Sequence, residues 1–417
     1  IAGIVCGAAV MCYAEFASMI PVAGSAYTFT YTTVCEIMAW IIGWDLILEM
    51  LMAGSVISKY WGVYLNDFMR LMGWNANTNL TFGSFHIDIA PIIIVAFFTT
   101  LLVFGTKIGA RVDGAMTVLK IAIVFFVVIV GFFYVKASNF TPFIPPSQPA
   151  STVEGSSAVT GVMTQPLWQL ATGMTPSVYG VPGILSGAAL VFFAFIGFDV
   201  VATASEETKN PHKNVPLGIG VGMLLIIVMY MLVAVVTTGM VSYADLAKQD
   251  SPSLATAFEL VGADWAAKII SFGIVLGLAT VVMVLLLGLT RIVFAMSRDG
   301  LLPRGLSKTG KHGTPAALQI VVGAVVALVA AFFDIGVLSD MVNIGTLSAF
   351  TLVAISIPIM RKKRPDLPRA FKMPGSPWIP ILIAVANFWL MLNLSVLTWI
   401  RFVVWLVVGF AIYFGYG

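Results

Sequence analysis

ILSGAALVFFAFIGFDVVATA, residues 184–204, decides the class of this chain. At about 1.5 Å per residue, some 20 residues of helix cover the ~30 Å of a bilayer's hydrocarbon. The stretch is apolar with one charged residue, Asp199, which stands two residues after Gly197. A carboxylate at membrane depth is expensive and marks a path for ions or substrate. The polar run SEETKNP, residues 205–211, then ends the span.

Outward from this segment the chain repeats the pattern. Apolar spans begin near Ile1, Val34, Ile87, Ala115, Ile184, Leu217, Ala267, Ala316, Val342, Trp378 and Trp399, eleven in 417 residues. Composition agrees: 59% of residues are hydrophobic and 10% charged, with a mean hydropathy of +1.00. Soluble domains carry about 25% charged residues, so this chain cannot cover itself with a water-compatible surface. The expected class is an all-α polytopic membrane protein.

Several function classes fall away. No G-x-x-x-x-G-K-[ST] phosphate loop is present, so an ATP-driven pump has no engine. Cys6, Cys12 and Cys35 are an odd set in apolar surroundings and make no disulfide framework. His86, His212 and His312 are scattered and adjoin no cysteine, which argues against a metal centre. Gly218, Gly220 and Gly222 lie inside an apolar helix, where small residues let helices approach closely rather than bind a nucleotide. No nucleophile–base pair is visible, so no covalent chemistry is expected. A seven-helix receptor has too few spans, and a channel would need a continuous polar helix face.

Charge sets the orientation. With the loops after the odd-numbered spans on one side, that side holds 15 of the 22 basic residues, the opposite side holds six, and Lys120 stays within the membrane. By the positive-inside rule the richer side is cytoplasmic, which puts the C-terminus in the cytoplasm. The chain opens inside an apolar helix without a signal-peptide charge pattern, and a further span before Ile1 is expected. Residues 136–183 read as a long irregular outer loop, and 251–262 as a short amphipathic surface helix. Residues 361–375 form a basic linker facing anionic headgroups. Asn79-Leu-Thr81 and Asn139-Phe-Thr141 match the N-glycosylation pattern.

YAEFASMIPVAGSAY (13–27), FFAFIGFDVVATASEETKNP (192–211) and RIVFAMSRDGLLP (291–303) together resemble the amino acid–polyamine–organocation superfamily. The likeness is in particular to the cationic amino acid transporter branch and its bacterial relatives. The resemblance runs over the whole chain as one transmembrane domain, residues 1–417. It implies the leucine-transporter fold, two inverted five-helix repeats plus two helices. The first repeat would occupy about 1–135, the second about 184–360, and the added helices about 376–416. The spans then match the family's second to twelfth helices, and the substrate-binding first helix lies outside this sequence.

A helix interrupted at Gly197 frees carbonyl groups that can accept hydrogen bonds from an ammonium group. The resemblance implies that the carbonyls of Phe193 and Ile196 hold the α-amino group and that the Phe193 ring closes the site from outside. Gly197 would supply the bend, with Asp199 at the inner edge. Lys120 matches the position where some members carry a lysine in place of bound sodium; alternatively, six residues after Gly114 or about 9 Å along a helix, it snorkels to the headgroups. Thr280 falls where sodium-binding relatives use a hydroxyl and would face Lys120. Asp45 and Glu49 are four apart and share a helix face. Glu49 is the candidate to meet a cationic side chain. Glu15, Glu206 and Glu207 read as salt-bridge partners of Lys209 or Arg111 near the cytoplasmic helix ends.

The expected activity is alternating-access, proton-coupled uptake of cationic or small neutral L-amino acids across the plasma membrane. The rival is an amino acid or polyamine exchanger of the same fold. No cofactor is expected, protons serve as coupling ion, and sodium is not expected to. The partners are the substrate and the bilayer, with no nucleic acid; a small accessory membrane subunit is possible but not indicated.

Overall fold

A computed structural model describes residues 1–19, 27, 30–31, 36–74, 78–82, 85–105, 109–150, 161–197, 208, 210–249, 252–310, 314–366, 369 and 371–416. Helix dominates them. The helices are α1 (Ala2–Met19), α2 (Glu36–Leu71), α3 (Ile89–Val103), α4 (Gly109–Phe132), α5 (Leu167–Thr172), α6 (Gly180–Val191) and α7 (Pro211–Met240). They continue with α8 (Tyr243–Ala247), α9 (Leu254–Leu260), α10 (Asp264–Arg298), α11 (Ala316–Phe332), α12 (Ile335–Lys363), α13 (Trp378–Leu392) and α14 (Val396–Tyr416). Seven of them are long and apolar enough to cross a membrane: α1, α2, α4, α7, α10, α12 and α14. Four shorter apolar helices, α3, α6, α11 and α13, fall at the remaining expected spans.

The longest helix is the centre of the bundle. α2 has 36 residues, about 54 Å of helix, and packs on α10, α12, α11, α3 and α14. Its inner face carries the fully buried Trp40, Ile42, Leu46, Leu48 and Met50. α1 packs on α7, α3 on α11, and α4 on α10 and α7. Outward faces invert the soluble pattern: Leu217, Val221, Leu224, Val228 and Met231 of α7 are all exposed. An exposed apolar stripe of this length belongs in hydrocarbon.

Local chemistry explains the boundaries. α7 begins with Pro211 at its first position, after Asn210 in the left-handed region, where proline's missing N–H costs nothing. α9 is capped by Ser253, whose Oγ accepts from the Thr256 amide at 3.1 Å. α12 ends in Arg361, Lys362 and Lys363, cations that suit the negative end of a helix dipole. α14 is fastened to α2 by a reciprocal pair: Trp44 Nε1 donates to the Trp405 carbonyl at 2.8 Å, and Trp405 Nε1 to that of Trp44 at 3.2 Å. The two indoles stack with centroids 4.5 Å apart.

Three expectations need amendment. The outer loop is not wholly irregular: it contains α5, and Gln148–Pro149 pairs with Ser177–Val178 as two short antiparallel strands. The Asn139 side-chain amide is engaged, donating to the Gly239 carbonyl at 2.8 Å. Gly218, Gly220 and Gly222 do not mediate close helix approach, since a Cβ at any of them would meet no atom of the described residues within 4 Å. Tight approach occurs elsewhere, as at Gly409, where a Cβ would lie 2.5 Å from Trp44 Nε1.

Candidate functional site

α6 ends after only 12 residues. Its last residue is Val191, after which Phe192–Phe195 tighten into one 3-10 turn. Ile196 is extended at φ −68°, ψ 145°, and Gly197 sits at φ +120°. That conformation is open to glycine and closed to L side chains for steric reasons, so the break is written into the residue at 197.

Neighbouring helices hold the broken end. The Tyr230 hydroxyl on α7 donates to the Ala194 carbonyl at 2.6 Å, and Asn343 Nδ2 on α12 to the Leu190 carbonyl at 3.2 Å. Phe192 packs edge-on against Phe350, which meets Tyr13 of α1 the same way. These anchors lie outside the FFAFIGFD motif, and no pattern in the sequence pointed to Tyr230 or Asn343. The Phe193 carbonyl accepts the Ile196 amide at 3.2 Å; a carbonyl has a second lone pair, which leaves room for an ammonium donor. Phe193, Ile196 and Gly197 are half-buried, and a Cβ on Gly197 would meet no atom of the described residues within 4 Å. Asp199 lies outside the described residues.

Lys120 and Thr280 meet at one glycine. Lys120, half-buried on α4, lays its aliphatic stem over Gly277 of α10, where a Cβ would stand 3.2 Å from Lys120 Cγ. The buried Thr280 hydroxyl donates to the Gly277 carbonyl at 3.0 Å. Glu49 is fully buried on α2, one turn beyond the equally buried Asp45. Asp45 Oδ2 accepts from Ser348 Oγ of α12 at 2.7 Å. Glu49 and Lys120 stand on different helices that share α10 as neighbour.

The end of the bundle bearing the basic linker is bolted by a network that corrects the expected partners of Glu15. Its carboxylate takes Arg361 from α12, with Nε at 2.9 Å and Nη2 at 2.6 Å, together with the Met373 amide at 2.7 Å. Arg369 Nε approaches to 3.7 Å. Both Glu15 oxygens are thus engaged in a fully buried setting, the arrangement that offsets desolvation of a charge. Ser18 Oγ bridges to the Phe371 backbone at 3.3 Å, and His212 Nδ1 lies 2.6 Å from the Ser18 carbonyl. Tyr27 donates to Asp299 Oδ2 at 3.0 Å, joining the first quoted motif to the third. The side chains of Arg111, Lys209, Glu206 and Glu207 lie outside the description. Among the described residues no three His, Cys, Asp or Glu side chains are grouped to hold a metal ion.

Over residues 1–414 the chain matches the family model described as amino acid permease. It is 42% identical to the branched-chain amino acid permease BcaP of Bacillus subtilis (strain 168), over all of this chain and 84% of the relative. The methylthioribose transporter of the same organism is 38% identical over the same shares. The vacuolar cationic amino acid transporter 2 of Arabidopsis thaliana is 36% identical over 88% of this chain and 54% of the relative. With its polytopic helical bundle, the chain belongs to the amino acid permease family of the amino acid–polyamine–organocation superfamily: a multi-pass membrane transporter and not an enzyme.

Proposed function

We propose that the chain is a secondary active transporter that takes up L-amino acids by alternating access, coupled to protons. The observation that carries this reading is the end of α6 in the 3-10 turn Phe192–Phe195, followed by the extended Ile196 and the positive φ of Gly197. Backbone carbonyls released there supply a neutral, fixed cradle for an α-ammonium group, and such breaks are where transporters bind at mid-membrane. Phe193 and Ile196 supply the carbonyls, and Asp199 and Glu49 add negative charge for substrate or coupling ion. The pairing of α1 with α7, α2 with α10 and α3 with α11 supports two inverted repeats, since each helix packs on the one five places later in the family order.

Lys120 acts as the coupling group beside Thr280. A half-buried ammonium carries charge when protonated and releases its neighbours when neutral, so its proton can follow the conformational cycle. Neutral aliphatic substrates rank above cationic ones, because the BcaP relative is alike over the whole chain. The protein sits in the plasma membrane with its basic loops and C-terminus in the cytoplasm.

Uptake into proteoliposomes tests the reading. Radiolabelled leucine, alanine and arginine are offered with and without an inward proton gradient, in sodium or choline, with methylthioribose as competitor. Accumulation of an amino acid driven by the proton gradient and indifferent to sodium is the expected result. Uptake that requires an amino acid inside the vesicle would identify the exchanger instead, and methylthioribose transport alone would overturn the amino acid assignment.

A further inference from the structure

A groove of about 500 Å³ runs between α1 and α7 at the end of the bundle that carries the basic linker. Val10, Met11 and Ala14 form one wall and Leu217, Gly220 and Leu224 the other. His212 and Lys213, both exposed, stand at its mouth, and Phe371 of the linker forms the lip beside the exposed Lys372. His212 Nδ1 faces the Ser18 carbonyl, so that nitrogen carries hydrogen. The nearest carboxylate on α1, Glu15, is turned away and neutralised by Arg361. Among the described residues the mouth is therefore positive, through Lys213 and Lys372, and the trough apolar.

Three properties define the occupant. The groove opens on the face of α7 whose exposed Leu217, Val221 and Leu224 lie in hydrocarbon. From His212 to Leu224 it runs about 18 Å along the helix, close to one leaflet of a ~30 Å hydrocarbon layer. Its polar groups are all at the headgroup end. We propose that this groove binds an anionic phospholipid, with one acyl chain along Gly220 and the phosphate against Lys213 at its mouth. A zwitterionic lipid would satisfy the trough but not the mouth, and a soluble anion the mouth but not the trough.

The purified full chain is titrated with phosphatidylglycerol or phosphatidylcholine of identical acyl chains, and bound lipid is counted by native mass spectrometry. Phosphatidylglycerol is retained more tightly. Lys213→Ala weakens it about fivefold, the loss expected for one basic group at a membrane surface. Gly220→Leu places a side chain in the trough, where a Cβ meets nothing within 4 Å, and abolishes retention while the unfolding temperature holds. Lys248→Ala, at an exposed site on the α8 connection, changes nothing. Equal retention of the two lipids, or unchanged phosphatidylglycerol binding in either groove variant, overturns the proposal.

Discussion

Gly197 is where a single residue decides most. Its φ of +120° is sterically closed to alanine, yet no atom of the described residues lies within 4 Å of a Cβ there, so Gly197→Ala acts through backbone strain. Strain of this kind is on the order of 1–3 kcal/mol, enough to re-form helix through 193–197 and withdraw the carbonyl cradle. Amino acid uptake by Gly197→Ala should fall at least about tenfold, in line with ~1.4 kcal/mol, while expression and monodispersity on gel filtration persist. Wild-type uptake by this variant would show that the break is dispensable. Lys120 offers the second residue-scale test. Its stem packs on Gly277 beside the Thr280 hydroxyl, so Lys120→Ala removes the charge and leaves a small gap. Proton-driven accumulation should vanish in Lys120→Ala, measured in the same vesicles, whereas a lysine that merely snorkels would lose little.

Between elements, the joint of α1, α12 and the basic linker rests on Glu15. Removing one partner of a buried, hydrogen-bonded ion pair strands the other charge and costs about 3–5 kcal/mol, while replacing both with apolar groups can be neutral. Glu15→Ala and Arg361→Ala should each lower the unfolding temperature markedly. The double substitution should recover a substantial part of the loss in a double-mutant cycle. Additive single effects would mean that the pair does not act as a unit. The length of this joint explains its invisibility in the chain: Arg361 is 346 residues from Glu15, and a lone glutamate in YAEF names no partner. Nearer basic residues were the natural expectation, and only the packing of α1 against α12 replaced them.

At the scale of the molecule, basic residues crowd one end of the bundle. If that end faces the cytoplasm, Lys372→Cys should react with an impermeant maleimide only in inside-out vesicles, and Lys248→Cys only in right-side-out ones. Wild-type protein, whose Cys6 and Cys12 are buried, serves as background. Reversed labelling would invert the proposed orientation. The number and place of apolar segments were legible because bilayer thickness imposes length and composition locally. So was the place where α6 ends, because the glycine that permits φ +120° stands in the motif itself. Proline at the start of α7 and the serine before α9 are likewise local steric and hydrogen-bonding rules that a short window contains. The pairing of α2 with α10, the Trp44–Trp405 clasp and the hold of Tyr230 and Asn343 on the broken end come from tertiary structure alone. In an apolar bundle every helix face is hydrophobic, so periodicity does not say which face meets which neighbour; side-chain shape, and hydrogen bonds formed between helices far apart in the chain, make that choice.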